Sequence, residues 1–501
     1  MKAFLKSHAA FLAAAFAAGA SSVAGFAPLS IFPLPILCLC ALLLLWRTAT
    51  PKAAFRIGFA FGAGLFGVGV SWVYVSLHEF GMMPAPLAAL GTLAFCAILS
   101  LYPAAAGWCF ARARLGPVVS ALIAFPALWT IFEWLRGWIF TGVPWLAVGY
   151  SQVGSPLAGF APVVGVYGVS LAVAFCAGLL FVTLMGSRQA RLAAFALVFA
   201  FGLGQFSKQI EWTSAHGKPF KVALLQGNIP QDLKFQAERY AETLAIYKRL
   251  IEASDARLIV LPETAIPRFL DDVDPGYLKD IARTAAARGG DVLIGVPIRD
   301  SDGRYFNSVV SVGASPGQRY DKAHLVPFGE FVPYGFRWIV KTVAIPMSDF
   351  SLGSAHPRPL ALAGQRVAPD ICWEDAFGEE IIRQLPEATL LVNVSNVAWF
   401  GDSLAPSQHL QISRMRAIET GRTMLRATNT GVTAIIDPRG EVVARLPQFT
   451  EGILTGEAQG YTGASPYVRW GNAPVVAICL ALIAALAFRG RLILGKRAEN
   501  R

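Results

Sequence analysis

Charged residues are distributed very unevenly along this chain of 501 residues, and this limits what it can fold into. Residues 1–210 and 473–488 are almost uncharged and strongly apolar, whereas residues 211–460 have the mixed composition of a water-soluble domain. A helix of about 20 apolar residues is long enough to cross a bilayer. The sequence therefore predicts three parts: a bundle of seven transmembrane spans in residues 1–210, a water-facing α/β domain in 211–460, and a transmembrane helix with a tail in 461–501.

About eight spans are predicted in total. They lie at Met1 to about Gly25 and at residues 31–46, 53–76, 86–110, 118–140, 163–185, 192–206 and 473–488. The first could pass for a signal peptide, because Lys2 and Lys6 precede an apolar stretch that ends in small residues. Further spans follow it directly, so we expect it to be a retained helix.

Lysine and arginine mark every second short loop between the predicted spans. They are Lys2 and Lys6, then Arg47, Lys52 and Arg56, then Arg112 and Arg114, then Arg188 and Arg191, and finally Arg489, Arg491, Lys496, Arg497 and Arg501. Because positive loops stay in the cytoplasm, both termini are predicted to be cytoplasmic and residues 211–460 periplasmic, in a bacterial inner membrane. The same loops account for the net charge of +11, and no clustered basic face indicates nucleic-acid binding.

Strand-like and helix-like segments alternate in the polar domain. Short aliphatic or β-branched runs are Val222–Gln226, Arg257–Leu261, Val292–Val296, Asn307–Val312, Val367–Ile371 and Leu390–Val394, and helical segments are Phe235–Ser254, Tyr277–Arg288 and Gln408–Arg422. Pro438-Arg439-Gly440 is predicted to join two further strands as a hairpin. This alternation predicts a layered α/β fold with its active site at the carboxyl ends of strands.

Three stretches of the polar domain carry reactive side chains, and each is predicted to lie at a strand end. Glu263 follows four aliphatic residues, Lys322 lies in a polar run, and Cys372 ends an apolar strand. The carboxylate could take the thiol proton, the ammonium could stabilise thiolate and oxyanion, and the sulfur could attack a carbonyl. Singly, each has a plainer explanation: a capping carboxylate, a solvated lysine and a buried strand cysteine.

Other chemistries find little support in the sequence. The six other cysteines lie in apolar segments, and the sequence has no Cys-x-x-Cys pair and no His-Glu-x-x-His motif. We therefore predict no disulfide, no metal site and no other cofactor. Gly313–Gly317 has the spacing of a serine-hydrolase elbow, but Pro316 cannot supply the required N–H. Gly62–Gly67 has dinucleotide-binding spacing inside an apolar span, which favours close helix packing instead.

Taken in order, the three stretches resemble the Glu-Lys-Cys triad of the nitrilase superfamily. The motifs are Leu-Pro-Glu-Thr at 261–264, Lys322 with Pro-Phe-Gly-Glu at 327–330, and Ile-Cys-Trp-Glu at 371–374. The eight spans, together with the runs at 226–231, 395–401, 414–417 and 426–429, make nearly the whole chain similar to bacterial apolipoprotein N-acyltransferases. That resemblance implies an αββα sandwich on a membrane bundle, acting as a monomer.

The resemblance also implies an activity. A fatty acyl chain would pass from a phospholipid to the amino group of a diacylglyceryl-cysteine on an apolipoprotein, through a thioester on the enzyme. Glu263 would be the base, Lys322 the stabiliser of oxyanion and thiolate, and Cys372 the nucleophile. The resemblance also implies that Glu330 and Glu374 position Lys322 and that Asn307 is a polar residue of the site. It places four aromatic residues along the lipid path: Phe235, Trp373, Trp399 and Phe400. Packing in the core would explain these four aromatic residues equally well.

Two positions depart from the family pattern, and one segment suggests a lid. Val397 stands where the family usually has Asp, and Phe235 where some members have Trp. Residues Phe331–Phe350 are rich in apolar side chains that would be awkward on a solvated loop, so they are predicted to form a mobile lid that dips toward lipid.

Two other functions compete with acyl transfer between lipids. A membrane-tethered amidase could use the same triad on a small periplasmic amide. A transporter or assembly scaffold could carry a degenerate extracytoplasmic domain, but all three triad residues are present and paired ionisable groups in mid-span are sparse.

Overall fold

The computed structural model describes residues 2–113, 115–186, 188–332 and 349–499. Most of the predicted lid, residues 333–348, lies outside these residues. The chain forms two compact units. A helical unit contains the residues up to Tyr74, Pro86–Ile210 and the residues from Trp470, while a second unit combines Val75–Ala85 with Glu211–Arg469.

Long apolar helices make up the helical unit. They are α1 (Lys2–Ser22), α2 (Pro33–Trp46), α3 (Pro51–Gly69), α4 (Ala85–Ala113), α5 (Phe125–Arg136), α6 (Ala161–Leu184) and α7 (Ala190–Ser207), with single-turn helices at Val73–Val75 and Pro117–Val119 and a π-helical turn at Ser120–Ala124. The π-helical turn Ser76–Phe80 belongs to the second unit. The span predicted at 53–76 is therefore interrupted, because α3 ends at Gly69 and a separate short helix follows.

Five helical segments among the described residues are long and apolar enough to cross a membrane. They are His8–Gly25, Ala85–Ala113, Pro117–Arg136, Pro156–Leu184 and Ala190–Ser207. A bent pair, Pro51–Gly69 with Val73–Phe80, raises the number to six, and Pro33–Trp46 and Ala473–Phe488 are shorter apolar helices. The membrane part is confirmed as helical, whereas the count of about eight spans stays a prediction.

Glycines let the helices of this unit approach closely. A Cβ at Gly64 would lie 2.1 Å from the backbone oxygen of Phe16, so α1 and α3 touch along their backbones. A Cβ at Gly62 would lie 2.7 Å from the Cα of Ser100 on α4. The glycine pattern at 62–67 thus serves helix packing, as predicted, because only glycine leaves room for a neighbouring backbone.

The second unit contains two six-stranded sheets. Its strands are β1 (Thr213–Gln226), β2 (Leu258–Val260), β3 (Asp291–Arg299), β4 (Tyr305–Gly313), β5 (Arg319–Asp321), β6 (Leu360–Leu362), β7 (Gln365–Ile371), β8 (Leu390–Ser395), β9 (Met424–Thr428), β10 (Ala434–Ile436), β11 (Val442–Arg445) and β12 (Gly452–Gly463). The strand orders are β12-β1-β2-β3-β4-β5 and β11-β10-β9-β8-β7-β6. Strands β1, β2 and β3 run parallel, as do β7, β8 and β9, and the remaining neighbours are antiparallel.

Helices cover the outer face of each sheet. They are α8 (Ala237–Ala253), α9 (Pro275–Ala286), α10 (Gly378–Ile381), α11 (Ala405–Thr420) and α12 (Pro466–Trp470), and α13 (Ala473–Glu499) follows. All the strands and helices predicted in the polar domain are present, and their ends lie within a few residues of the predicted ones except that β1 already begins at Thr213, well before the predicted start at Val222. The hairpin at 438–440 joins β10 to its antiparallel neighbour β11.

Alternating side chains along each strand build two kinds of core. Val222 of β1 and Val260 of β2 face the second sheet, where they join Val367 and Val392. Their neighbours Ala223 and Ile259 point the other way and pack under α8 and α9. Because both faces of these strands are buried, the sequence shows continuous apolar runs rather than alternation. The unit is thus an αββα sandwich, as the resemblance implied.

Candidate active site

Glu263, Lys322 and Cys372 come together in one buried place although they are far apart in the chain. Glu263 follows β2, Lys322 directly follows β5, and Cys372 directly follows β7. Their exposed fractions are 7%, 1% and 9%. Charged side chains are rarely buried to this degree unless they are paired, so the surroundings of each must supply partners.

The Glu263 carboxylate accepts three hydrogen bonds. Its Oε1 accepts from Asn307 Nδ2 at 2.7 Å and from Lys322 Nζ at 3.3 Å, and its Oε2 accepts from the backbone N–H of Asn396 at 2.8 Å. Burial alone would raise the pKa of Glu263, but Lys322, Asn307 and a further cation, Lys234, outweigh it and hold the pKa below its usual value. Glu263 is therefore an anion ready to accept a proton.

Lys322 lies between two carboxylates. Its Nζ is 2.8 Å from Glu330 Oε1 and 3.3 Å from Glu263 Oε1. Burial opposes its charge, yet these two carboxylates outweigh burial and raise the pKa of Lys322 above its usual value. Asn307 Nδ2 also donates to Glu330 Oε1 at 2.8 Å, so one amide bridges both carboxylates. The structure places Glu330 and Asn307 where the sequence predicted supporting residues.

Cys372 occupies a strained turn at the end of β7. Its φ is +60°, a left-handed conformation that costs a non-glycine residue about 1–2 kcal/mol. Its backbone oxygen accepts from Asn393 Nδ2 at 2.9 Å and lies 3.2 Å from His409 Nε2, and these contacts hold the turn. Burial, followed by the charge of Glu263, raises the pKa of the Cys372 thiol well above its usual value, and Lys322 opposes this. The resting sulfur is thus a thiol that needs a base to activate it.

The Glu374 carboxylate forms hydrogen bonds mainly with the backbone, and the charge of Lys322 also acts on it. Its Oε1 accepts from the N–H groups of Ala323 at 2.7 Å and His324 at 2.9 Å. Its Oε2 accepts from the N–H of Ile371 at 2.6 Å and from the hydroxyl of Tyr320 at 2.9 Å. Glu374 thus ties the segments that flank Lys322 to the residue before Cys372, and its predicted role in positioning Lys322 stays a prediction.

A buried polar layer beneath the Cys372 turn was not predicted from the sequence. Asp375 Oδ1 lies 2.8 Å from His409 Nε2, and Asp375 Oδ2 accepts from Ser413 and, at 3.4 Å, from Arg426. Burial would raise the pKa of Asp375, but His409 and Arg426 outweigh it and lower the pKa. Ser413 and Arg426 fall beside or within the runs 414–417 and 426–429, whereas Asp375 directly follows the Ile-Cys-Trp-Glu motif and His409 lies in the predicted helical segment Gln408–Arg422.

Lys234 is a further residue of the site that was not predicted from the sequence. It lies in the loop before α8, is 2% exposed, and its Nζ donates to the backbone oxygen of Glu263 at 3.2 Å. Burial lowers the pKa of Lys234 to about 8, while Glu263 and Cys372 act in the opposite direction. Its immediate neighbour Phe235, which was predicted to lie along the lipid path, is 39% exposed.

The four aromatic residues predicted to line a lipid path have different surroundings. Trp373 donates its indole N–H to the backbone oxygen of His324 at 3.1 Å and packs edge-on against Phe377. Trp399 and Phe400 lie in the 3₁₀ turn Val397–Phe400, and the Trp399 ring is 6.0 Å from that of Phe80. Within the described residues, no group of three or more His, Cys, Asp or Glu side chains is arranged to hold a metal ion.

Two family models match the chain. Residues 18–179 match the apolipoprotein N-acyltransferase N-terminal domain, and residues 221–467 match the carbon-nitrogen hydrolase model. A Nesterenkonia amidase of the nitrilase superfamily is 16% identical, with 52% of this chain and 97% of that chain covered, but its TM-score of 0.38 is too low to support an argument.

Curated relatives match over almost their whole length, and each is named apolipoprotein N-acyltransferase. The relative from Nitrosomonas europaea is 52% identical, with 96% of this chain and 98% of the relative covered. Those from Chromobacterium violaceum and Methylococcus capsulatus are 47% and 45% identical, with at least 92% of each chain covered. These matches confirm the resemblance found in the motifs, and the chain belongs to the apolipoprotein N-acyltransferase family.

Proposed function

We propose that this protein transfers a fatty acyl chain from a phospholipid to the amino group of a diacylglyceryl-cysteine at the N-terminus of an apolipoprotein. The observation that carries the proposal is that Glu263 and Lys322 form a buried ion pair and that the charges of both act on the buried thiol of Cys372. The names of the relatives support the acceptor, and the helices of membrane-spanning length support a lipid donor.

In the first half-reaction, the carboxylate of Glu263 takes the proton of Cys372 as the sulfur attacks the ester carbonyl of the phospholipid. Lys322 is placed to stabilise the negative charge that develops on the carbonyl oxygen and on sulfur. The ester C–O bond then breaks, and Glu263 returns the proton to the leaving alcohol oxygen. The products are a lysophospholipid and a thioester on Cys372.

In the second half-reaction, the neutral amine of the acceptor attacks the thioester carbonyl. Glu263 takes a proton from the attacking nitrogen and passes it to the sulfur as the carbon–sulfur bond breaks, which restores the thiol of Cys372 and the carboxylate of Glu263. The product is an amide, and no water enters the balance. A hydrolase with the same triad would differ only in admitting water at this second step.

From the charges of the loops we also propose an arrangement in the membrane with eight spans and with both termini in the cytoplasm. In this arrangement residues 211–460 form the periplasmic domain, and residues 1–210 and 461–501 form the membrane parts. A cysteine introduced at Asp302, half exposed in the second unit, should react with a membrane-impermeant thiol reagent on intact spheroplasts. A cysteine at Arg191 should react only after permeabilisation, and the reverse pattern would refute the orientation. We also propose that one chain acts as a monomer, with Phe235, Trp373, Trp399 and Phe400 along the lipid path.

Phospholipid vesicles and a synthetic diacylated lipopeptide test the activity. The wild type should convert the lipopeptide to its triacylated form, whereas Cys372→Ala and Glu263→Gln should lose at least about a thousandfold in rate, as expected when nucleophile or base is removed. Glu242→Gln is the matched control, because its carboxylate is exposed and pairs with Arg239 on the same helix face. Release of free fatty acid at the same rate with and without lipopeptide would favour the hydrolytic alternative.

A further inference from the structure

Lys234 is a buried lysine that the mechanism above does not use. It lies between β1 and α8, and its ammonium donates to the backbone oxygen of Glu263 at 3.2 Å. Its exposed fraction is 2%. A backbone oxygen alone is a weak reason to bury an ammonium, because removing a full charge from water costs several kcal/mol unless an opposite charge compensates it. The compensating charge lies in the triad.

The ions around the triad are unbalanced without Lys234. Glu263 and Glu330 share the single ammonium of Lys322, at 3.3 Å and 2.8 Å. These three groups carry a net charge of −1 in a buried place where charge is poorly screened. Adding Lys234 makes the set neutral while the thiol of Cys372 is protonated. The set stays neutral after the proton has moved from sulfur to Glu263, because the negative charge only changes place.

We propose that Lys234 is the second cation of the active site, a positioning residue that balances the buried carboxylates and keeps Glu263 in the ionised form that accepts the Cys372 proton. This inference rests on the proposed function, because it assigns Lys234 a task in the same proton transfer. Lys234 acts through Glu263 and Cys372, because its charge interacts electrostatically with both of these groups.

Other charged groups face the same place from each neighbouring segment. Lys322 and Glu330 approach from the loop after β5, and Cys372 with Glu374 and Asp375 from the turn after β7. Asp375 already has partners in His409 and Arg426, and Glu374 accepts four hydrogen bonds. Glu263 and Glu330 share Lys322, so among the described residues Lys234 is the cation that can balance the second of these two carboxylates.

The consequence is a pH dependence that differs from the effect of a lost structural contact. A nearby opposite charge typically lowers a carboxyl pKa by about 1–3 units. Removing the charge of Lys234 should therefore move the acid limb of the Cys372 acylation rate upward by about one unit or more. The deficit should be largest at low pH and should shrink as the pH rises and Glu263 ionises without help.

Three substitutions separate charge from hydrogen bonding. Lys234→Met removes both, Lys234→Gln keeps a donor for the Glu263 backbone oxygen without a charge, and Lys234→Arg keeps the charge. Lys248→Met is the control, because Lys248 is an exposed lysine paired with Asp280 at 2.8 Å. The readout is single-turnover acylation of Cys372 by vesicle phospholipid between about pH 3.5 and 9, a range that includes the acid limb because the pKa of Glu263 lies below its usual value.

We expect the upward shift with Met and Gln, partial or full restoration with Arg, and no shift in the control. A wild-type pH profile for Lys234→Gln would show that the hydrogen bond is sufficient and would overturn the inference, as would a loss by the same factor at every pH. Failure of the proposed function would be recognised by a different result: the acid limb of the pH profile would persist in Glu263→Gln, or Cys372→Ala would stay active.

Discussion

Glu374→Gln is the substitution that most severely tests how the site is held together. The carboxylate of Glu374 is buried and accepts four hydrogen bonds, three of them from backbone N–H groups. Glutamine has nearly the same shape but offers one oxygen and one NH₂ group. The NH₂ group must then face either the N–H groups of Ala323 and His324 or the N–H of Ile371 and the hydroxyl of Tyr320.

The magnitude follows from these four contacts. A hydrogen bond to a charged group contributes about 1.5–3 kcal/mol, and a buried donor left without an acceptor costs about 1–3 kcal/mol. The Tyr320 hydroxyl can rotate to accept from the new NH₂ group, so the milder arrangement leaves one N–H, that of Ile371, without an acceptor. We therefore expect the unfolding free energy to fall by about 3 kcal/mol, which corresponds to roughly 6–12 °C in Tm for a domain of this size.

Activity should suffer as well, because Glu374 connects the segment after Lys322 with the residue before Cys372. Thermal unfolding followed by tryptophan fluorescence in detergent, and thioester formation from phospholipid, should both be measured at pH 8. Burial raises the pKa of Glu374 to about 7 against the pull of Lys322 and its donors, so the wild-type carboxylate is ionised there.

Glu380→Gln is the matched control, since its carboxylate is partly exposed and contacts His324 and Arg383 at the surface. We expect a change of less than about 1 kcal/mol there, the usual worth of an exposed ion pair. If Glu374→Gln unfolds at the same temperature as Glu380→Gln and forms thioester at the wild-type rate, Glu374 does not hold the site together.

Three further predictions follow from the same contacts. Cys372→Gly should be more stable than Cys372→Ala by up to about 1 kcal/mol, because glycine adopts a φ of +60° without a Cβ penalty; equal Tm values would contradict the strain. Gly295→Ala should slow acylation at least about tenfold, the effect of about 1.4 kcal/mol, because the new Cβ would lie 2.2 Å from the backbone oxygen of Pro262, beside Glu263, whereas Gly154→Ala meets nothing within 4 Å and should be neutral. Burial lowers the pKa of Lys234 to about 8, so with rising pH the ammonium of Lys234 loses its proton in the folded protein before it does in the unfolded chain. The stability of the wild type relative to Lys234→Met should therefore rise between about pH 8 and 10 and be lost again on acidification to 8. Parallel Tm curves for the two proteins would contradict this.

Two members of the triad, Glu263 and Cys372, could be placed from the sequence because each follows an apolar run that becomes a strand, whereas Lys322 follows the short polar strand β5. Glu263 after β2 and Cys372 after β7 could be placed at the ends of runs buried on both faces, where no alternation obscures the strand. Strand β12 was missed, because Gly452–Gly463 mixes glycine, charged and polar residues and gains its order by pairing with β1 along almost its full length.

Contacts between distant residues account for what the sequence could not predict. Lys234 is 29 residues from Glu263 and Asp375 is 51 from Arg426, and no local pattern marks such pairs. The backbone contacts of Glu374 could not be predicted for a related reason. The tight turn at Cys372 buries backbone N–H groups that need an acceptor, and this demand of the backbone is not visible in a motif of side chains.

Trapping the acyl-enzyme tests the central claim most directly. The protein should be incubated with phospholipid vesicles and digested, and the peptide that contains Cys372 should be weighed by mass spectrometry before and after a diacylated lipopeptide is added. We predict one acyl chain on Cys372, removable by hydroxylamine, absent in Glu263→Gln, and transferred to the lipopeptide on its addition. An unmodified Cys372 in a protein that still acylates the lipopeptide would contradict the thioester and the role of the triad.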